Sequence, residues 1–139
     1  MPDTVAPTGP RTPDFDDSAH EALSTRYVDV DTLPWINTAY DGIEMKILFQ
    51  DETRGLMTAL FRWQPGARLP MHEHVDIEQS FVLEGSLIDH EGICTKGQFA
   101  WRPAGSTHDA WTEEGCLIYA TFQKPNIFLE GPDSTPQKN

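Results

Sequence analysis

The chain is expected to fold as an all-β domain, a sandwich or a barrel with helix nearly absent. Three observations carry that expectation. Glycines at positions 42, 55, 66, 85, 92, 97, 105 and 115 punctuate the chain at short intervals. The segments between them are rich in β-branched and aromatic residues, which suit a pleated surface. No segment sustains a 3.6-residue apolar period over eleven or more positions, as an amphipathic helix would. Many short strands separated by turn signals close into a barrel or stack as a sandwich.

Taken in order, residues 1–25 hold four of the eleven prolines and few large apolar side chains, so they read as an arm. A single domain over 26–128 follows, with 129–139 as a tail. Its strands are expected at IEMKILF, LMTALFRW, SFVLEG, SLIDH, QFAWRP and CLIYATF, with a turn at Gly85 between the third and fourth. One core of this size is what 139 residues support.

Charge excludes one class of partner. Ten Lys and Arg face 22 acids, a formal charge of −12, and form no basic run. A nucleic-acid binder would present a basic face to replace phosphate counterions. No stretch approaches the roughly 18 apolar residues that span a membrane. The N-terminus lacks the apolar core of a secretory signal, so the expected compartment is the cytoplasm. Cys94 and Cys116 form no CxxC pair and are expected to be reduced and packed.

The stretch PMHEHVDIEQ, residues 70–79, carries the chemistry. Side chains alternate faces along a strand, so His72 and His74 share one face and Glu73 takes the other. A short turn through Val75, Asp76 and Ile77 lets a second strand begin at Glu78. Run antiparallel, that strand brings Glu78 beside the histidines. The unit reads G-x5-H-x-H-x3-E-x6-G from Gly66 to Gly85. A second unit, G-x5-P-x-G-x2-H, runs from Gly97 through Pro103 and Gly105 to His108. Pro-Ala-Gly is turn chemistry that re-aims the chain and lets His108 join the cluster. His20 and His90 fall outside both units.

These two units resemble the two motifs of the cupin superfamily, over roughly residues 40–125. The second departs at one position: Thr112 stands where an asparagine, typically structural, follows the histidine by four residues. The resemblance implies a small jelly-roll β-barrel with a metal held by His72, His74, Glu78 and His108. Imidazole and carboxylate donors suit Fe(II), Mn(II), Ni(II), Cu(II) or Zn(II). Four ligands on an octahedral ion would leave two positions open, whereas a structural zinc site closes at four.

Residues 35–92, with CLIYATF, resemble a narrower group, the cupin domain of ChrR-type anti-sigma factors. They resemble more loosely the small dioxygenases that cleave acetylacetone and dihydroxyacetophenone. Residues 1–25 hold one histidine and no cysteine, so the N-terminal zinc domain of the full anti-sigma factors is not expected in them. The dioxygenase relatives use three histidines and Fe(II), and Glu78 is an additional candidate. The leading expectation is an Fe(II) dioxygenase of a small diketone or hydroxyketone, with Glu78 bound to the metal or acting as base. The alternatives are a zinc or manganese isomerase or hydrolase, and a non-catalytic, sensor-like module binding a metal or small ligand. A homodimer is expected, as is common for cupins of this size.

Parity from Glu78 turns Ser80 and Val82 inward and Phe81 and Leu83 outward. Trp63, Trp101, Trp111 and Tyr119 are candidates for stacking on a substrate, with packing as the alternative. Arg62 and Arg102 are the nearby cations, expected to be solvated or salt-bridged.

Overall fold

The computed structural model describes residues 25–134. All but the last residue of the expected arm, and positions 135–139 of the tail, lie outside them. After a single 3-10 turn at Val30–Thr32 the described chain is all strand and loop. In chain order the strands are β1 Ile36–Asn37, β2 Ile43–Asp51, β3 Leu56–Trp63, β4 Arg68–Glu73, β5 Glu78–Asp89, β6 Gly92–Thr95, β7 Phe99–Arg102, β8 Thr107–Trp111, β9 Cys116–Phe122 and β10 Ile127–Phe128. They form a curled antiparallel sheet in the order β1-β2-β3-β9-β5-β8-β4-β10, with β6 and β7 also paired to β5. This is the expected cupin jelly roll. No described helix is long and apolar enough to cross a membrane.

β5 joins the two halves of the curl. Its first part pairs with β9 and β7, and its last four residues pair with β6. Here the structure corrects an expectation, because the chain does not turn at Gly85. SFVLEG and SLIDH are one strand that bends. A register shift between Val82 and Glu84 puts a bulge into β5, and bulges sharpen strand bend and twist. Gly85 follows with φ at 74°, and a Cβ there would lie 1.9 Å from the Gly115 carbonyl oxygen. Only glycine lets the strand cross from one half to the other at that point.

A second correction concerns β4 and β5. They are not a hairpin pair: β4 lies between β8 and β10, while β5 lies beside β9. The chain from His74 to Ile77 crosses between the halves, so Glu78 reaches the histidines across the barrel interior.

The interior is packed by Tyr40, Ile43, Trp63, Val82, Leu87, Ile118 and other buried apolar side chains. Cys116 is part of this core, and both cysteines are free thiols. Residues just past β10 lie against the barrel. Leu129 N–H donates to the Met71 carbonyl at 2.9 Å, and the Tyr40 hydroxyl donates to Asp133 at 2.9 Å.

Candidate metal centre

Local features of β4 aim the first histidine. Pro70 cannot donate to the sheet ladder, and the β4–β8 register slips between Leu69 and His72. The freed Pro70 carbonyl accepts a hydrogen bond from His72 Nδ1 at 2.8 Å. That bond fixes the tautomer and leaves Nε2 as the lone-pair nitrogen. His72 is the direct register partner of His108 on β8. His74, one residue beyond β4, is tied by its backbone to the turn that precedes β8. Its N–H donates to Ser106 at 2.9 Å, and its carbonyl accepts from Gly105 N–H at 2.7 Å. The Pro103–Gly105 turn brings His108 to the cluster, as its chemistry predicts, and its backbone also ties down His74. Thr112 is structural: its hydroxyl caps Gly115 N–H at 2.9 Å, and its carbonyl accepts from Gly66 N–H.

One potential donor atom each from His72, His74 and His108 lies within 4.8 Å of the others. All three side chains are buried, His74 completely. Burial holds the His72 imidazole below its ordinary value. It brings His74 down to about 3, with help from the neighbouring histidines and Arg102, and His108 to about 4, with help from Arg102 against the hydrogen bond to Asp89. At neutral pH the cluster is uncharged, the form in which imidazole binds a metal. Both ring nitrogens of His74 are buried without a hydrogen-bond partner. A buried polar atom left unpaired is costly, and a coordinated metal would satisfy one of them. The residues therefore fit a divalent transition metal.

Glu78 is beside this cluster but not among its mutually close donors. Its Oε1 lies 3.1 Å from His74 Nδ1, too poorly aligned for a hydrogen bond. Burial pushes its carboxyl up to about 7, against the lowering effect of Arg102. Asp89 orients the third histidine. Its Oδ2 accepts from His108 Nδ1 at 2.9 Å and from Arg102 at 2.8 Å, while Oδ1 accepts the Glu91 and Gly92 N–H groups. Burial alone would raise the Asp89 carboxyl, but these hydrogen bonds and charges outweigh it and hold it low. Carboxylate–histidine pairs of this kind orient metal ligands.

His72, Glu78, Arg102 and His108 line a small chamber of about 60 Å³. It shares Phe61, Trp63, Leu69, Phe122 and Asn126 with a cavity of about 690 Å³ that has mostly apolar walls. Ser80 lines the chamber and Val82 is in the core, as parity predicts. Of the aromatic candidates, Trp63 lines both spaces. Trp101 and Tyr119 are on the outer surface, 65% and 42% exposed, and Trp111 lies under the Arg68 guanidinium. Arg62 is paired with Glu44 at 2.7 Å and stacks over Trp35, away from the chamber. Sequence reasoning missed Asp89, Asn126, Phe61, Phe122 and Phe128, whose ring centroid is 5.2 Å from that of His72. For Asp89 a signal existed but was masked, because the β5 bulge reverses the parity counted from Glu78.

The family model described as the ChrR Cupin-like domain matches residues 23–125. Among solved structures, a proposed acetylacetone dioxygenase from Methylibium petroleiphilum PM1 superposes with a TM-score of 0.73 at 23% identity, covering 84% of this chain and 88% of that one. The acetylacetone dioxygenase of Acinetobacter johnsonii gives 0.69 at 18% identity, covering 89% of each chain. The Rhodobacter sphaeroides complex of SigE with the anti-sigma ChrR gives 0.57 at 20% identity, covering 68% of this chain and 51% of that one. At these identities the likeness is one of fold. No curated protein matches the sequence.

Proposed function

The chain belongs to the ChrR cupin-like domain family, and on that premise we propose that it is a metal-dependent dioxygenase of a small carbonyl compound. One observation carries the reading: three neutral, buried imidazoles cluster at a small chamber, lined by His72 and His108, that shares five wall residues with a large, mostly apolar cavity. A closed structural site needs no such space, whereas a substrate pocket is concave, mostly apolar and furnished with a few polar groups. The acetylacetone dioxygenases among the structural neighbours support the same reading.

A divalent ion held by His72, His74 and His108, with Fe(II) favoured, would act as Lewis acid toward a substrate oxygen and supply the redox chemistry that dioxygen needs. The protein's own residues do the rest. Asp89 and the Pro70 carbonyl lock the His108 and His72 rings in orientation. Phe61, Leu69 and Phe122, which line both the cavity and the chamber, would limit water there and so strengthen the electrostatic interactions inside. Glu78, beside His74, is placed to take the acidic C–H or O–H proton of a bound carbonyl compound.

A second reading, a metal-holding module without catalysis, is favoured by the likeness to ChrR. Metal analysis of protein purified without added metal, followed by oxygen uptake on a panel of diketones, oxo acids and hydroxyketones, separates the two. Iron with uptake supports the dioxygenase. Zinc with turnover but no uptake supports an isomerase or hydrolase. Zinc with no turnover of any compound supports the binding module.

A further inference from the structure

Arg102 has more hydrogen-bonding capacity than the protein uses. Its side chain is 14% exposed, and its one hydrogen bond runs from NH1 to Asp89. A guanidinium presents a fork of N–H donors, and the rest of Arg102's have no partner among the described residues. Asp89 does not need Arg102 to be satisfied, since His108 and two backbone N–H groups already use both its oxygens. Glu78 stands directly opposite Arg102 in the β5–β7 register, yet no ion pair joins them. None of these donors is a buried unpaired atom, so they are open to water or to a ligand.

The position of Arg102 says what that ligand would be. Arg102 lines the chamber with His72, Glu78 and His108, and it is the single cation among the described residues lining the chamber or the cavity. The acids Glu52 and Asp133 line the cavity and Glu78 the chamber, so Arg102 is the group in the two spaces that would attract an anion. Met45, Met57, Phe61 and Phe122 give the cavity walls that suit an apolar tail. The chamber, at about 60 Å³, is far smaller than the cavity of about 690 Å³, so it suits a small polar head group and the cavity a tail.

We propose that Arg102 holds a carboxylate of the substrate, so that the chamber takes an oxo acid with an apolar tail in preference to a neutral diketone. Planar guanidinium and planar carboxylate match in a two-bond fork. This assignment rests on the reading of the chamber as the site of a metal-bound carbonyl compound, and it narrows the substrate class of that reading.

The test is a binding comparison without turnover. Monobenzyl malonate and benzyl acetoacetate differ only in a carboxylate against an acetyl group. Each is titrated calorimetrically, without oxygen, into the protein as purified and into metal-stripped protein. Wild type is expected to prefer the malonate by about 10- to 100-fold in both forms, the effect of charged hydrogen bonds. Arg102→Gln is expected to bring the two ligands within about twofold of each other, with metal content retained. No preference in wild type, or a preference that survives Arg102→Gln, overturns the assignment. If that variant does not fold, a crystal structure of wild type with monobenzyl malonate decides. A carboxylate against Arg102 supports the proposal, and a carboxylate bound elsewhere overturns it. None of these measurements requires oxygen consumption. A protein that consumes no oxygen thus overturns the dioxygenase reading alone, whereas an absent preference overturns the role of Arg102 alone.

Discussion

At the residue scale, each site side chain has a separable task. Asp89 holds His108 through Nδ1 at 2.9 Å without itself being a donor in the histidine cluster. Asp89→Asn is expected to keep the fold and weaken the metal about 10- to 100-fold, as losses of such orienting carboxylates do. Competition with a chromophoric chelator measures this. Glu78 should behave in the opposite manner. Three imidazoles remain in Glu78→Gln, so metal content should stay close to wild type while turnover falls about 10²- to 10⁴-fold, the contribution of a positioned base. A variant that loses its metal and not its rate constant per bound ion would make Glu78 a ligand and nothing more. The histidines and Glu78 were legible because their spacing is local to two motifs. Asp89 was not, because its inward direction depends on a bulge seven residues earlier, and Asn126 was not, because only the path of the chain after β9 brings it to the chamber.

At the element scale, β5 decides the architecture. Strand identity was readable from the β-branched and aromatic runs between glycines, and β2, β3, β7 and β9 fall where those runs are. Pairing was harder to read. A glycine at positive φ signals a turn in most sequence contexts, yet at Gly85 it signals a bend within one strand, because Gly115 packs against it from β9's approach. Nothing local to residues 80–90 records that contact. Gly85→Ala tests the explanation. Left-handed backbone at a non-glycine residue costs about 1–2 kcal/mol, and the approach of the Gly115 carbonyl adds to it. Denaturant titration is expected to show a loss of at least about 2 kcal/mol. An unchanged midpoint would mean that the bend is set by something else.

At the scale of the whole molecule, the fold buries three titratable rings in one place and so links stability to pH. Unfolded histidines titrate near 6.5, whereas in the metal-stripped fold His74 reaches about 3 and His108 about 4, and His72 is lowered in the same direction. Between these values the unfolded chain binds more protons, so stability is present above about 6.5 and is lost as the pH falls toward 4. Glu78 acts the other way, because its carboxyl, raised from 4.5 to about 7, binds a proton better when folded; it is one group against three. Metal-stripped protein should therefore melt at a lower temperature at about pH 5 than at about pH 7.5, and an equal or higher melting temperature would contradict neutral burial of the histidines. The central claim is that these rings form a metal centre. X-ray absorption and elemental analysis on wild type and His74→Ala test it most directly. The expected result is one first-row transition ion per wild-type chain, with imidazole scattering at about 2.0–2.1 Å if it is zinc and close to that otherwise, and loss of stoichiometric metal in the variant. Full occupancy in His74→Ala, or a bound ion with no imidazole scattering, would contradict it.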